Sequence, residues 1–135
     1  MNEATEVMLA QWRSRIDGEL ARVASNGLPV ADAVREAIHY SLTGEGKRVR
    51  GLLVMASYDA LGGMGNAAGL AAAVEIVHAY SLVHDDLPCM DNDHTRRGRP
   101  TTHRAYGVGL ATVAGVTMVA LAVSQTIRAA EGLGL

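Results

Sequence analysis

Residues Ala71–Asp93 read AAAVEIVHAYSLVHDDLPCMDND. The first half is nearly uncharged, and the second crowds four aspartates into nine residues. Alanine-rich sequence with helical apolar spacing predicts a helix from about Asn66 to Leu87. Pro88 closes it, because the residue before a proline is driven out of the α region. Asp85 and Asp86 then occupy the last helical turn, beside the negative end of the helix dipole. Asp91 and Asp93 follow just beyond. Anions gathered so closely repel one another, and a hard divalent cation removes that penalty. Magnesium uses one or two carboxylates, keeps several waters and completes its shell with phosphate oxygens. The cluster therefore points to a phosphorylated ligand as well as a metal. The competing reading is a solvated acidic loop with no ligand.

The rest of the chain is read outward from this helix. An apolar series at Leu9, Trp12, Ile16, Leu20 and Val23 predicts a first helix from Glu3 to Ala24, stopped at Asn26-Gly27. A second starts near Pro29, buries Val30, Val34, Ile38 and Leu42, and breaks at Thr43–Gly46. A third runs from about Lys47 to Leu61 and stops at Gly62-Gly63. A long polar segment, Pro88 to about Thr101, precedes a last helix that begins at Thr102 or Val108 and ends near Glu131. No stretch shows the alternation of a half-buried strand. The 135 residues thus predict a single all-α domain of about five helices, packed as a bundle. From Ala105 to Ile127 there is no charge, a length that spans a bilayer. Its three glycines, its hydroxyl and amide side chains and the lack of an aromatic belt favour a buried central helix over an integral membrane segment.

Composition narrows the function. A net charge of −2 argues against nucleic-acid binding. The single cysteine, Cys89, excludes an intrachain disulfide and a multi-cysteine zinc site. The start, MNEATEVMLAQW, lacks a basic stretch followed by an apolar run, which predicts a cytoplasmic protein. Basic residues cluster as sharply as the acids. Lys47, Arg48 and Arg50 open the predicted third helix in GEGKRVRG, and Arg96, Arg97 and Arg99 follow the aspartates in RRGRP. Glycines, a helix N-terminus and cations together favour phosphate. GEGK is not a Walker loop, since Arg48 replaces the Ser or Thr and no strand precedes it. RGRP, Arg97–Pro100, matches a minor-groove hook, but the adjacent aspartates and the net charge oppose DNA. His78 lies seven residues before Asp85 on the same helix face, where it reads either as a core histidine or as a diphosphate donor.

GEGKRVRG, AAAVEIVHAYSLVHDDLPCMDND and RRGRPTTHRAYG, in register from about Gly44 to Ala122, resemble the N-terminal half of trans-isoprenyl diphosphate synthases, the polyprenyl synthetase family of farnesyl and geranylgeranyl diphosphate synthases. Asp85, Asp86 and Asp91 match its first aspartate-rich motif. The resemblance implies half of an all-α isoprenoid synthase bundle and a usual homodimer. It implies Mg2+ on Asp85, Asp86 and Asp91, bridged to an allylic diphosphate that Arg96 also contacts. Lys47, Arg50, His78 and Arg97 would hold isopentenyl diphosphate, and Tyr80, with neighbouring Ser81, would limit product length towards a farnesyl size. The implied reaction is head-to-tail condensation of the two diphosphates.

The sequence departs from the family in three places. The second aspartate-rich motif is absent from these residues, and Glu131 is the only acid after Tyr106. His94 and Thr95 stand where Asp and Leu are usual before the arginine pair, and Val116 stands where an Asp is usual. These residues thus carry one wall of an active site, as a fragment of a longer enzyme or as one half completed by a second polypeptide or a homo-oligomer. The alternative is a non-catalytic accessory subunit of a full-length synthase.

Overall fold

The computed structural model describes residues 2–26 and 29–135. Six helices are found among them: α1 (Glu3–Asn26), α2 (Asp32–Leu42), α3 (Val49–Ala60), α4 (Ala68–Asp85), α5 (Thr102–Tyr106) and α6 (Val108–Leu133). The all-α expectation holds, with one helix more than expected. Gly107 splits the last helix: at φ 88° and ψ 156° it occupies a region reserved for glycine. The stretch expected to be a long polar loop contains an antiparallel hairpin, β1 (Thr95–Arg96) and β2 (Arg99–Pro100). Arg97 and Gly98 turn it with positive φ, the backbone of a tight primed turn.

α4 is the central helix and shares its largest interface with α6. Its buried alanines, Ala68, Ala71, Ala72 and Ala73, let neighbouring backbones approach closely. Ile16, Leu20 and Val23 of α1, Ile38 and Leu42 of α2 and Met55 of α3 fill the space around it. The expected α1 stripe is therefore the packed face, with Trp12 half-buried at its edge. Full burial of residues such as Ile16 and Ile76 contributes about 1.5–3 kcal/mol each.

Helix boundaries shift where tertiary contacts outweigh local signals. α1 runs two residues past Ala24, to Asn26, and the predicted stop at Gly27 lies outside the described residues. α2 starts at Asp32 rather than at Pro29. Asp32 complements the positive helix end, and Arg35 fixes the first turn by bonding both Asp32 Oδ1 (2.6 Å) and the Val30 carbonyl (3.0 Å). α4 starts at Ala68 rather than Asn66, whose Oδ1 accepts from the Ala68 N–H at 3.1 Å, and it ends at Asp85.

α6 is long and apolar enough to cross a membrane by length and composition alone. One face, including Ala111, Ala114, Met118, Leu121 and Gln125, is buried on the bundle. The opposite face bares Val113, Val116, Val119, Val123 and Ile127 to solvent. The expected buried central helix is therefore covered on one side only.

Candidate functional site

A cleft of about 650 Å³ opens between the Gly44–Arg48 loop, the start of α3, the middle of α4 and the hairpin. Lys47, Arg50, His78, Asp86, Arg96 and Arg97 all line it. The loop, α3, α4 and the hairpin thus deliver their charged groups to one concavity. Asp85, Asp91, Tyr80 and Ser81 are not among its lining residues.

The cationic wall is set by backbone geometry. Arg48 takes the left-handed conformation, φ 51° and ψ 35°, so α3 begins at Val49 instead of Lys47. Of the three predicted helix-opening cations, only Arg50 lies inside the helix. Arg48 turns towards α1, donating to Asp17 Oδ1 (2.7 Å), the Leu42 carbonyl (3.2 Å) and the Gly44 carbonyl (2.9 Å). It fastens the loop, while Lys47 and Arg50 have no carboxylate within 4.0 Å among the described residues. Arg97 crosses from the hairpin and donates to the Glu45 carbonyl at 2.6 Å. A Cβ on Gly46 would meet the Arg48 and Arg97 guanidinium nitrogens at 2.9 Å each, so a side chain there would displace these two heads.

Glu75 lies on the same wall and escaped the sequence reading. It is 6% exposed, and its Oε1 accepts from the Gly51 N–H at 2.8 Å, within the first turn of α3. A carboxylate at that point satisfies an orphan donor and complements the helix dipole. The available signal was its isolation, as the sole ionisable side chain between Asp59 and His78. Burial, then the Arg50 charge, push the His78 imidazole below its ordinary range, while Glu75 pulls the other way. The Ser81 hydroxyl donates to the His78 carbonyl at 2.9 Å.

The acidic side is divided. Asp86, 3% exposed, accepts Arg96 Nη2 at 2.6 Å and Nε at 3.0 and 3.1 Å. This fork raises the Arg96 pKa still further. Asp93 Oδ2 lies 3.5 Å from the same guanidinium. Asp85 is half-buried and Asp91 exposed, and neither carboxylate has a hydrogen-bond or ion-pair partner among the described residues. The Asp91 N–H donates to the Asp85 carbonyl at 2.8 Å, which folds the loop back on the end of α4. No group of three metal-ligating side chains converges among the described residues. Two free carboxylates with all-oxygen chemistry nevertheless suit a magnesium ion that takes its remaining ligands from water and phosphate.

Tyr80 packs edge-on against His84, with ring centroids 5.9 Å apart. His84 Nε2 lies 3.2 Å from the Thr112 carbonyl of α6. A Cβ on Gly115 would collide with that imidazole, so the glycine creates its seat.

The fold that carries these cations and the cleft is one that solved proteins share. The chain superposes on the geranyltransferase of Legionella pneumophila with a TM-score of 0.90 and 34% identity, over 97% of this chain and 46% of that one. The family model described as polyprenyl synthetase matches residues 31–132. The chain belongs to the polyprenyl synthetase family, which comprises trans-prenyltransferases. It is 46% identical over 101 residues to the chloroplastic geranylgeranyl pyrophosphate synthase of Capsicum annuum, covering 74% of this chain and 27% of that protein. It is 47% identical over 104 residues to a heterodimeric geranylgeranyl pyrophosphate synthase large subunit 2 of Arabidopsis thaliana, covering 75% and 28%. The chain thus spans less than a third of the length of these curated relatives.

Proposed function

We propose that this chain is the diphosphate-binding half of a trans-prenyl diphosphate synthase, which condenses an allylic diphosphate with isopentenyl diphosphate. The observation that carries the reading is the convergence of Lys47, Arg50, His78, Arg96 and Arg97 on one cleft beside Asp86. Among the described residues, Lys47, Arg50 and Arg97 have no carboxylate within 4.0 Å. Their charge is left for a polyanion.

Each group takes a role in the proposed reaction. Asp85 and Asp91 would hold magnesium, with Asp86 supporting through Arg96, and the metal supplies positive charge to a departing diphosphate. Arg96 contacts the allylic diphosphate as its C–O bond breaks and the electron pair leaves with oxygen. Lys47, Arg50, His78 and Arg97 orient isopentenyl diphosphate so that its alkene meets the allylic cation. The proton then lost passes to the released diphosphate, and no protein nucleophile takes part. Tyr80 and Ser81, one turn before Asp85, would bound the growing chain, with Tyr80 braced by His84.

Completion of the site requires more helix than these residues supply. Val74 and Val77 of α4 and the valine face of α6 are exposed, an apolar surface suited to a partner. We propose that helices carrying the other aspartate-rich motif cover it, whether they continue these residues, belong to a second polypeptide or come from another copy of this chain. The alternative is a non-catalytic accessory subunit of a full-length synthase. The two readings separate in a magnesium-dependent assay of labelled isopentenyl diphosphate, with a chain carrying the C-terminal half added. Turnover that falls at least 100-fold, an order-of-magnitude expectation, on Asp85→Ala supports catalysis. Activity of the complex that ignores this substitution supports the accessory role.

A further inference from the structure

The hairpin sets two arginines opposite each other. In its register Arg96 faces Arg99, so both side chains stand on one face of the ribbon. Like charges in direct cross-strand positions repel. Arg96 is relieved by Asp86. Arg99 has no carboxylate within 4.0 Å among the described residues. Its guanidinium instead lies over the Tyr40 ring, 4.2 Å from the centroid. Tyr40 is itself fixed on two sides. Its hydroxyl donates to the Pro100 carbonyl at 2.8 Å, and its ring meets Tyr106 edge-on at 5.3 Å. A Cβ on Gly44 would stand 3.2 Å from Arg99 Nη1, so this head rests against the same glycine loop that Arg97 grips.

A tyrosine face orients a guanidinium without neutralising it. The side chain is thereby held along the cleft, with no hydrogen-bond acceptor for its N–H donors among the described residues and other cations nearby. An anion relieves that repulsion. A core role does not explain the residue, which is exposed and lines the cleft. We propose that Arg99, aligned by Tyr40, is a further diphosphate-binding residue of this cleft, acting beside Arg97 and Lys47. The inference rests on the diphosphate reading of the cleft given above.

Isothermal titration of the 135-residue chain with inorganic pyrophosphate, at low salt and without metal, tests it. Arg99→Gln is expected to weaken binding about five- to tenfold, and Arg99→Lys less, since it keeps the charge but loses the fork. Tyr40→Leu should weaken binding about two- to threefold by freeing the guanidinium. In the Arg99→Gln background the same change should add nothing. Arg13→Gln, on the exposed face of α1, is the control for net charge and should leave affinity unchanged. Circular dichroism shows whether each variant remains folded. Equal affinity of Arg99→Gln and the unmodified chain, with Arg97→Gln weakened, overturns the Arg99 assignment alone. Equal losses in Arg99→Gln and Arg13→Gln reduce it to a non-specific charge effect and also overturn it. No binding by the unmodified chain overturns the diphosphate reading of the cleft, and Arg99 with it.

Discussion

The two charged walls of the cleft are built differently. On the cationic wall, carbonyl oxygens hold Arg48 and Arg97, and a tyrosine ring holds Arg99. Arg48 is also paired with Asp17, but the Arg97 and Arg99 guanidiniums are positioned by partners that leave most of their charge uncancelled. On the acidic side Asp86 is fixed and a cation cancels it, while Asp85 and Asp91, which do not line the cleft, lack such contacts among the described residues. Cationic order is thus stored in the fold, whereas order among the remaining acids has to come from what binds them. The difference follows from chemistry. Carbonyls are abundant acceptors that can steady an arginine, but a carboxylate is steadied by donors, and the best donors here are cations.

Arg48→Ala should break this contrast most severely. It removes bonds to two backbone carbonyls and to Asp17, and its side chain is only 11% exposed. The expected loss is about 3 kcal/mol in urea unfolding, accompanied by weaker pyrophosphate binding. A loss below about 0.5 kcal/mol would mean that the loop holds its shape without this anchor. Asp86→Asn comes next. It swaps a buried ion pair for a neutral contact, at about 2 kcal/mol, and frees Arg96 from its one fixed position. An unchanged midpoint would show that the acidic wall has no stored order at all.

The smallest effect concerns His78, between the two walls. Burial and Arg50 lower its pKa, with Arg96 and Arg97 adding to the shift and Glu75 opposing it. The folded state therefore prefers the neutral ring. Stability from that preference is intact above the ordinary unfolded value of about 6.5 and is lost as pH falls through the lower folded value. Urea midpoints at about pH 7.5 and about pH 5.5 should fall more for the unmodified chain than for His78→Asn. Equal falls would remove His78 from the cationic wall's electrostatics.

Much of the framework could be read from spacing. Ile16, Leu20 and Val23 announced the α1 face, and the alanines of Ala71–Ala73 announced a helix, although the central position was expected of the last helix and belongs to α4. These are local periodicities, and burial follows them directly. The left-handed Arg48 could not be read, because that conformation is unfavourable by itself and is held by long-range or loop partners, Asp17, Leu42 and Gly44. The hairpin at Thr95–Pro100 was hidden by strands of two residues, too short for alternation to register. Charge clustering singled out Lys47, Arg50, Arg96 and Arg97, which do line one cleft, yet it gave no hint that Asp85 and Asp91 lie outside its walls. Clustering in sequence reports density of charge, while orientation depends on the turn after α4.

The bare side of α6 has a consequence for the molecule's handling by water and by cells. Valine and isoleucine are indifferent helix formers, so Val113, Val116, Val119, Val123 and Ile127 contribute little to keeping this helix wound. They also offer a greasy strip to any passing neighbour. Dilution is then protective and crowding is not. A newly made chain left with this strip uncovered is natural prey for chaperones and proteases, and its abundance becomes a matter of supply and clearance as much as of fold.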